Sequence, residues 1–237
     1  MKAVIMAGGK GARLAPYTKI LPKPLIPIGD MPIMEVLIRQ MASAGFKEIF
    51  VTVGHLSGLL KAFFQDGDQW HVHLHYSYED QPLGTVGSLA SITELDDTFL
   101  MANGDVLTTL DFRELVSFHK SQGAAATIAM HRRKVKIDFG VLKMEEQSRI
   151  VGIIEKPTYE YQVSMGVYVF EPEVIQFIQP GKYLDFPDLI QILIDAGKKV
   201  VGYPFDGYWQ DLGRQDDYEQ ATKDFDTMRD QFIPEKK

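Results

Sequence analysis

Strand-like and helix-like segments alternate along the first half of the chain, and this order limits its fold more than any other feature. Apolar residues at 33, 36, 37 and 41 are spaced for one helix face, and Gly45 ends that helix. Short apolar runs typical of buried strands lie between such segments. The order predicts strands at 2–7, 49–53, 72–76 and 98–102, and helices at 33–44, 56–64, 85–92 and 112–122. Such a βα order predicts a mostly parallel sheet covered on both faces.

The second half of the chain contains more strand signals. Asp185 is a plausible N-cap and Gly197 a stop for one helix there. No repeat, low-complexity tract or linker interrupts the chain, so we expect residues 1–237 to form one α/β domain with three layers and a mixed, mostly parallel sheet. The predicted elements are strands at 124–130, 139–144, 149–155, 163–170 and 199–204, and helices at 187–196 and 214–230.

Composition excludes several classes of protein. With 237 residues, 45% of them hydrophobic and 24% charged, the chain resembles an ordinary globular protein. The net charge of −7 argues against a general nucleic-acid binder. No apolar run is long enough to cross a bilayer or to form a secretory signal. The absence of Cys excludes disulfides and thiolate metal sites and permits a reducing compartment. We expect a cytoplasmic protein with neither a nucleic-acid nor a membrane partner.

One basic cluster stands out in this acidic chain. His131, Arg132, Arg133, Lys134 and Lys136 lie close together in the sequence. Such a run is most often a solvated loop between strands, and we expect that here. The alternative is a local rim for a small anionic substrate.

A glycine turn follows the first predicted strand. Ala7 ends an apolar run, Gly8, Gly9, Lys10 and Gly11 follow, and Arg13 and Lys23 come soon after. Glycines let backbone amides approach phosphate oxygens, and the cations would neutralise them. The dinucleotide fingerprint fails, since Leu14 stands at its third glycine, and no Walker A motif is present. The turn either binds a polyphosphate by another arrangement or is only structural.

Two acidic groups follow strands at positions where ligands bind in parallel sheets. Asn103, Gly104 and Asp105 follow one apolar strand, and Asp211 follows an aromatic run near the end of the chain. Two carboxylates meeting there could hold Mg²⁺ together with substrate phosphates. The alternative is that each aspartate caps a helix.

Three further groups are weaker signals. Glu155 and Lys156, before Pro157, could contact sugar hydroxyls and a phosphate, or form a surface salt pair. The histidines at 71, 73 and 75 alternate with apolar residues, so we expect them to face solvent rather than a metal. The acidic pair around Gly67 lies in a turn that ends a helix, which argues against a glycosyltransferase motif.

Together these segments resemble the sugar-1-phosphate nucleotidyltransferases, especially mannose-1-phosphate guanylyltransferase-like proteins. The resemblance covers nearly the whole chain and implies their Rossmann-like nucleotide-diphospho-sugar transferase fold. The segments that carry it are AGGKGARL (7–14), PKP (22–24), QPLGTVG (81–87), NGD (103–105), FGV (139–141), EKP (155–157), SMGVYVF (164–170) and WQDLG (209–213).

The resemblance implies a reaction that joins a nucleoside triphosphate and a sugar 1-phosphate and releases pyrophosphate. Guanine with mannose or a related hexose or heptose is the preferred pair, and UTP, CTP and dTTP remain alternatives. Arg13, Lys23 and Asp105 would be catalytic, and Asp105 with Asp211 would bind Mg²⁺. The implied nucleotide contacts are Ala7, Gly8, Gly9, Gly11, Gln81, Gly84, Thr85, Asn103 and Gly104; the implied sugar-phosphate contacts are Gly140, Glu155, Lys156, Ser164 and Gly166.

Departures from the family pattern leave a second function open. Ala12 stands where the family usually has Thr, and Ser164 where Asn is common. A regulatory protein that holds a nucleotide sugar without making it is therefore an alternative. The sequence also shows no C-terminal left-handed β-helix, so we expect the catalytic domain alone, as a homodimer if it assembles.

Overall fold

A computed structural model describes residues 1–9, 11–54, 56–79 and 81–233. The predictions for Lys10 and for the side chain of Ala12 lie outside that description. The strands are β1 (Lys2–Met6), β2 (Pro27–Ile28), β3 (Met31–Pro32), β4 (Glu48–Val53), β5 (His73–Tyr78), β6 (Phe99–Asn103), β7 (Val106–Thr108), β8 (Ala126–Lys136), β9 (Val141–Met144), β10 (Ile150–Ile154), β11 (Thr158–Phe170), β12 (Val200–Phe205) and β13 (Trp209–Asp211). The α-helices are α1 (Ile33–Ser43), α2 (Ser57–Phe64), α3 (Phe112–Gln122), α4 (Phe186–Asp195) and α5 (Gln215–Phe232).

Seven strands form the central sheet in the order β12-β8-β11-β6-β1-β4-β5. Among the strands of the described residues, only β11 runs antiparallel to its neighbours in this sheet, and the other adjacent pairs are parallel. The sheet is mixed and mostly parallel, as the βα order of the sequence predicts.

Helices cover both faces of this sheet because its strands are apolar on both sides. Along β1, Ala3 and Ile5 pack into a core shared with α1, α2 and α3, whereas Val4 packs into a second core shared with α4. A third core joins α5 to α1 through the fully buried rings of Phe225 and Phe232. Burying each of these rings contributes about 2–3 kcal/mol. The three layers predicted from the sequence are confirmed.

Two predicted elements differ in the structure. The helix expected at 85–92 is only a 3-10 turn over Gly87–Ser91. Backbone hydrogen bonds from Val86 N to Leu184 O and from Leu184 N to Leu83 O tie the preceding residues to the segment before α4, and Gly84 has φ of +78°, so these residues cannot join a helix. The basic run expected to be a loop lies instead on β8, which pairs with β11 out to Lys136.

The outer halves of β8 and β11 extend beyond the central sheet, and β9 and β10 lie between them in the sequence. We call this unit (131–163) the arm. Apolar side chains on it are exposed, among them Phe139 at 78% and Ile153 at 65%. The arm therefore lacks the packed core that fixes the central sheet.

The histidines of β5 and the acidic residues around Gly67 lie where the sequence predicts. His73 and His75 are exposed, and His75 Nε2 lies 2.6 Å from Glu48 Oε2. Gly67 lies between α2 and a 3-10 turn, so its acidic neighbours belong to a connecting turn. No helix in the described ranges combines the length and apolar content that crossing a bilayer would require.

Candidate active site

The carboxyl ends of β1 and β6 lie side by side and begin the site. Met6 is in register with Asn103, and Gly104 N donates a hydrogen bond to Met6 O at 3.0 Å. Parallel strands end at the same edge of a sheet, so the glycine turn after β1 and Asp105 after β6 must be neighbours.

Asp211 reaches the same edge from the far end of the chain. Residues 106–108 of β7 pair with β13 in antiparallel fashion, and Val106 lies opposite Asp211. Leu212 N donates to Asp105 O at 3.1 Å, which fixes the two segments against each other. The two aspartates predicted to converge are therefore adjacent.

Lys23 lies between these two carboxylates. Its ammonium group forms an ion pair with Asp105 and lies 4.0 Å from Asp211 Oδ1. Burial and the nearby Asp105 charge raise the pKa of Asp211, while Lys23 and Arg13 act against that rise. The carboxylates thus repel each other, and a cation between them relieves that repulsion.

A cavity of about 500 Å³ opens in front of these groups, and we call it the glycine-loop cavity. The predicted residues that line it are Ala7, Gly8, Gly9, Gly11, Arg13, Lys23, Gly84, Thr85, Asn103, Gly104, Asp105 and Asp211. Cations, glycine amides and acidic groups are thus brought together in one concave site.

A second cavity, of about 600 Å³, adjoins the first, and we call it the Ser164 cavity. Thr85, Asn103 and Asp211 line both cavities, so the two cavities are adjacent. Gly166 lines the second cavity with φ of +73°, and a Cβ at that position would lie 2.6 Å from Asn103 Nδ2. Only glycine fits there, because a side chain would be strained and would displace Asn103.

The hydroxyl of Ser164 is engaged within this second cavity. Ser164 Oγ donates to Tyr168 Oη at 3.0 Å and lies 3.3 Å from Gly166 N, which donates to it. Burial, with smaller contributions from Asp105 and Asp211, raises the pKa of Tyr168 to about 12. Tyr168 is therefore neutral at physiological pH and can hold Ser164 in place.

Thr85 and Gly84 attach the residues before the 3-10 turn to α4. Phe186 N donates to Thr85 Oγ1 at 2.6 Å, and Thr85 N donates to Asp185 Oδ1 at 3.0 Å. Gly84 has φ of +78°, and a Cβ there would lie 2.4 Å from Leu184 O. Asp185 is the N-cap residue as predicted, but its carboxylate binds Thr85 and Tyr183 instead of the helix amides.

Four predicted residues do not line either cavity. Gln81 is exposed, with its Nε2 3.4 Å from Gly181 O. Gly140, Glu155 and Lys156 lie on the arm, where Lys156 Nζ and Glu155 Oε1 are 3.8 Å apart and both side chains are more than half exposed. Their proposed contacts with substrate stay predictions.

Glu79 is a cavity residue that the sequence reasoning missed. It directly follows β5, lines the glycine-loop cavity and lies 3.1 Å from the point where a Cβ on Gly8 would stand. Burial raises the pKa of its carboxyl. Its place after a strand of the parallel part of the sheet is the signal that could have found it.

Comparison with known proteins agrees with this geometry. The profile of the family described as Nucleotidyl transferase matches residues 2–227. A UTP--glucose-1-phosphate uridylyltransferase of Synechocystis is 36% identical over 94% of this chain and 63% of its own length. A mannose-1-phosphate guanylyltransferase of Mycobacterium tuberculosis is 34% identical over 94% of this chain and 64% of its own length. The chain thus spans just under two thirds of these relatives.

Solved structures support the same fold. A structure from Bacillus anthracis, named as a candidate glucose-1-phosphate thymidylyltransferase, has a TM-score of 0.78 at 24% identity and covers 98% of both chains. HddC from Yersinia pseudotuberculosis has a TM-score of 0.73 at 21% identity and covers 94% of this chain and 99% of its own. With a family profile that spans almost the whole described chain, this protein belongs to the nucleotidyl transferase family.

Proposed function

We propose that this protein transfers a nucleotidyl group from a nucleoside triphosphate to a sugar 1-phosphate and releases pyrophosphate. The observation that carries the proposal is the convergence of Asp105 and Asp211 around the Lys23 ammonium group, in the cavity that the glycine turn also lines. An oxygen of the sugar phosphate attacks the α-phosphorus, the bond between the α-phosphorus and its bridging oxygen to the β-phosphate breaks, and pyrophosphate leaves with that electron pair. The attacking phosphate is already anionic, so no strong general base is required.

The chain's own contribution is positioning and neutralisation of charge. Backbone amides of the glycine turn approach the triphosphate, and Arg13 and Lys23 compensate the negative charge that develops on the leaving group. The Ser164 cavity, adjacent to the first, is large enough to hold the sugar. Gly140, Glu155 and Lys156 are proposed to contact the sugar phosphate on the strength of the family resemblance.

Asp105 and Asp211 suit Mg²⁺. The ion prefers a few carboxylate oxygens and takes its other ligands from water and substrate phosphates. The two carboxylates repel each other and share one ammonium group, so the site favours positive charge. When bound, Mg²⁺ would neutralise charge on phosphate oxygens.

Glu79 supports guanine as the base. A carboxylate accepts hydrogen bonds and matches the adjacent N1–H and N2–H₂ donors of guanine, whereas uracil and thymine offer one N–H between two carbonyls. A half-buried acid in the glycine-loop cavity thus favours GTP, with mannose 1-phosphate or a related hexose or heptose 1-phosphate as acceptor. UTP, CTP and dTTP are the alternatives.

The decisive experiment is a matrix of the four triphosphates against a panel of sugar 1-phosphates with Mg²⁺, scored by pyrophosphate release. We expect release with at least one pair and the highest kcat/KM with GTP. Glu79→Gln should lower the GTP-to-UTP preference about tenfold, and Glu94→Gln, an exposed acid outside the cavities, should leave it unchanged. Binding of a nucleotide sugar without turnover of any pair would instead identify a regulatory protein.

We also propose that residues 1–237 act as one catalytic domain in the cytoplasm and assemble as a homodimer. Light scattering on the purified protein reports its mass, and a monomeric mass would contradict the dimer.

A further inference from the structure

A third cavity, of about 200 Å³, lies beside the glycine-loop cavity and is lined by three arginines. Arg13 comes from the glycine turn, Arg133 from the arm and Arg214 from the N-terminus of α5. We call this the arginine cavity. No reaction role described above uses Arg133 or Arg214.

Within the described residues, none of these three guanidinium groups forms an ion pair within 4.0 Å. Two carboxylates also line the cavity, but Asp211 faces Lys23 and Asp217 accepts a hydrogen bond from Gln210 at 2.6 Å. Three arginines against two aspartates leave the lining of the cavity with one net positive charge. Such a site favours a compact polyanion that several guanidinium groups can contact at once, because Arg binds phosphate oxygens in bidentate fashion.

The arginine cavity is connected to the reacting groups. Arg13 and Asp211 line both this cavity and the glycine-loop cavity, and a Cβ on Gly213 would lie 3.2 Å from an Arg13 guanidinium nitrogen. An anion that leaves the glycine turn past Arg13 would therefore meet Arg133 and Arg214 next.

We propose that the arginine cavity binds a phosphate-bearing anion, and that its occupant is the pyrophosphate released in the proposed reaction. The assignment of pyrophosphate rests on the proposed function, whereas the site itself rests on the three arginines. Arg13 would then hold the leaving group on one side and pass it to Arg133 and Arg214 on the other.

The arm supplies a matched pair of variants for the test. Arg132 and Arg133 are consecutive on β8, so their side chains point to opposite faces. Arg132 lies 3.8 Å from Asp206 and does not line the arginine cavity. The same Arg→Gln change at these neighbours removes one positive charge from the arm in each case, but only one change reaches the cavity.

Titration calorimetry with inorganic pyrophosphate at fixed ionic strength measures the site without turnover. We expect Arg133→Gln and Arg214→Gln each to raise the Kd for pyrophosphate about tenfold, and Arg132→Gln to leave it unchanged. Equal Kd values for the Arg132 and Arg133 variants would overturn the proposal. The protein could also turn over no substrate pair while Arg133→Gln still weakens pyrophosphate binding. That result would support the anion site and contradict the proposed reaction.

Kinetics with an active substrate pair separate the two phosphate sources. If pyrophosphate is the occupant, Arg133→Gln raises its product-inhibition constant about tenfold and leaves the KM of the sugar 1-phosphate unchanged. A raised KM with an unchanged inhibition constant would overturn that assignment and make the sugar phosphate the occupant.

Discussion

The carboxyl edge of the central sheet and the arm contribute to the same predicted site in very different ways. At the edge, the register of β1 with β6 and of β7 with β13 places Asp105 and Asp211 next to each other. On the arm, Glu155 and Lys156 follow β10 and are mostly exposed. Groups at the packed edge of the sheet are fixed by backbone pairing before any ligand binds, whereas the exposed side chains of the arm have few neighbours to hold them.

The largest effect should come from the edge. Asp105→Asn removes one of the two charges that favour a cation and should lower kcat at least about 100-fold. Steady-state pyrophosphate release measures it, and Asp138→Asn, an exposed acid on the arm that pairs with Lys136, is the control. Activity near that of the unchanged protein would show that the edge does not carry the chemistry.

Gly166 tests how tightly the edge is packed. Gly166→Ala should lower the free energy of unfolding by about 3 kcal/mol, since it combines a left-handed φ with a clash against Asn103. Gly181 has φ of +70°, and no atom lies within 4 Å of the point where its Cβ would stand. Gly181→Ala should therefore cost only the backbone part, about 1 kcal/mol, in the same denaturant titration. Equal losses would mean that Asn103 moves freely.

Lys156 tests the arm. Lys156→Ala should raise the KM of the sugar 1-phosphate about tenfold with little change in kcat, because a charged contact with phosphate would be lost. Lys134→Ala removes another exposed lysine of the arm, paired with Glu160, and should have no effect. An unchanged KM in the Lys156 variant would leave the arm without a role in substrate binding.

The smallest effect concerns Asp211 and pH. The folded protein raises the pKa of this carboxyl above its usual value of 3.8, so the fold favours the protonated form of Asp211. This contribution to stability is fully present below pH 3.8 and is lost as the pH rises through the folded pKa, because ionised Asp211 disfavours folding. Asp211→Asn should therefore raise the Tm of metal-free protein at pH 7 by roughly 1–2 °C, a modest gain because the group is partly solvated. The gain should vanish below the usual pKa. Scanning fluorimetry with and without this change measures it, and a lower Tm at pH 7 would contradict the prediction.

Local patterns in the sequence predicted the strands of the central sheet, apart from the outer half of β8, and the positions of Asp105 and Asp211 at the ends of strands. Apolar period and helix stops located the elements around Gly45 and Gly197, and strand ends located Asp105. The prediction of a helix at 85–92 was wrong because it depends on contacts between segments that are distant in the sequence. The backbone pairing of Leu83 and Val86 with Leu184 prevents the expected helix, and it is not visible in either segment alone.

Gln81 and Glu79 show a second limit of sequence patterns. Both stand near the end of β5, and the family resemblance favoured Gln81 for the base. In the structure, Gln81 Nε2 lies 3.4 Å from Gly181 O, and the Glu79 carboxylate lies beside Gly8 in the glycine-loop cavity. Contact of Gln81 with the base stays a prediction, whereas the position of Glu79 became visible only in the folded chain.

The pairing of β13 with β7 also has a consequence for synthesis. A ribosome makes the glycine turn, Lys23 and Asp105 long before it reaches Asp211. Because domains generally fold as units, the two carboxylates meet only after β13 has been made and can pair with β7. A polypeptide that stops before β13 would therefore carry only one of the two carboxylates of the proposed cation site.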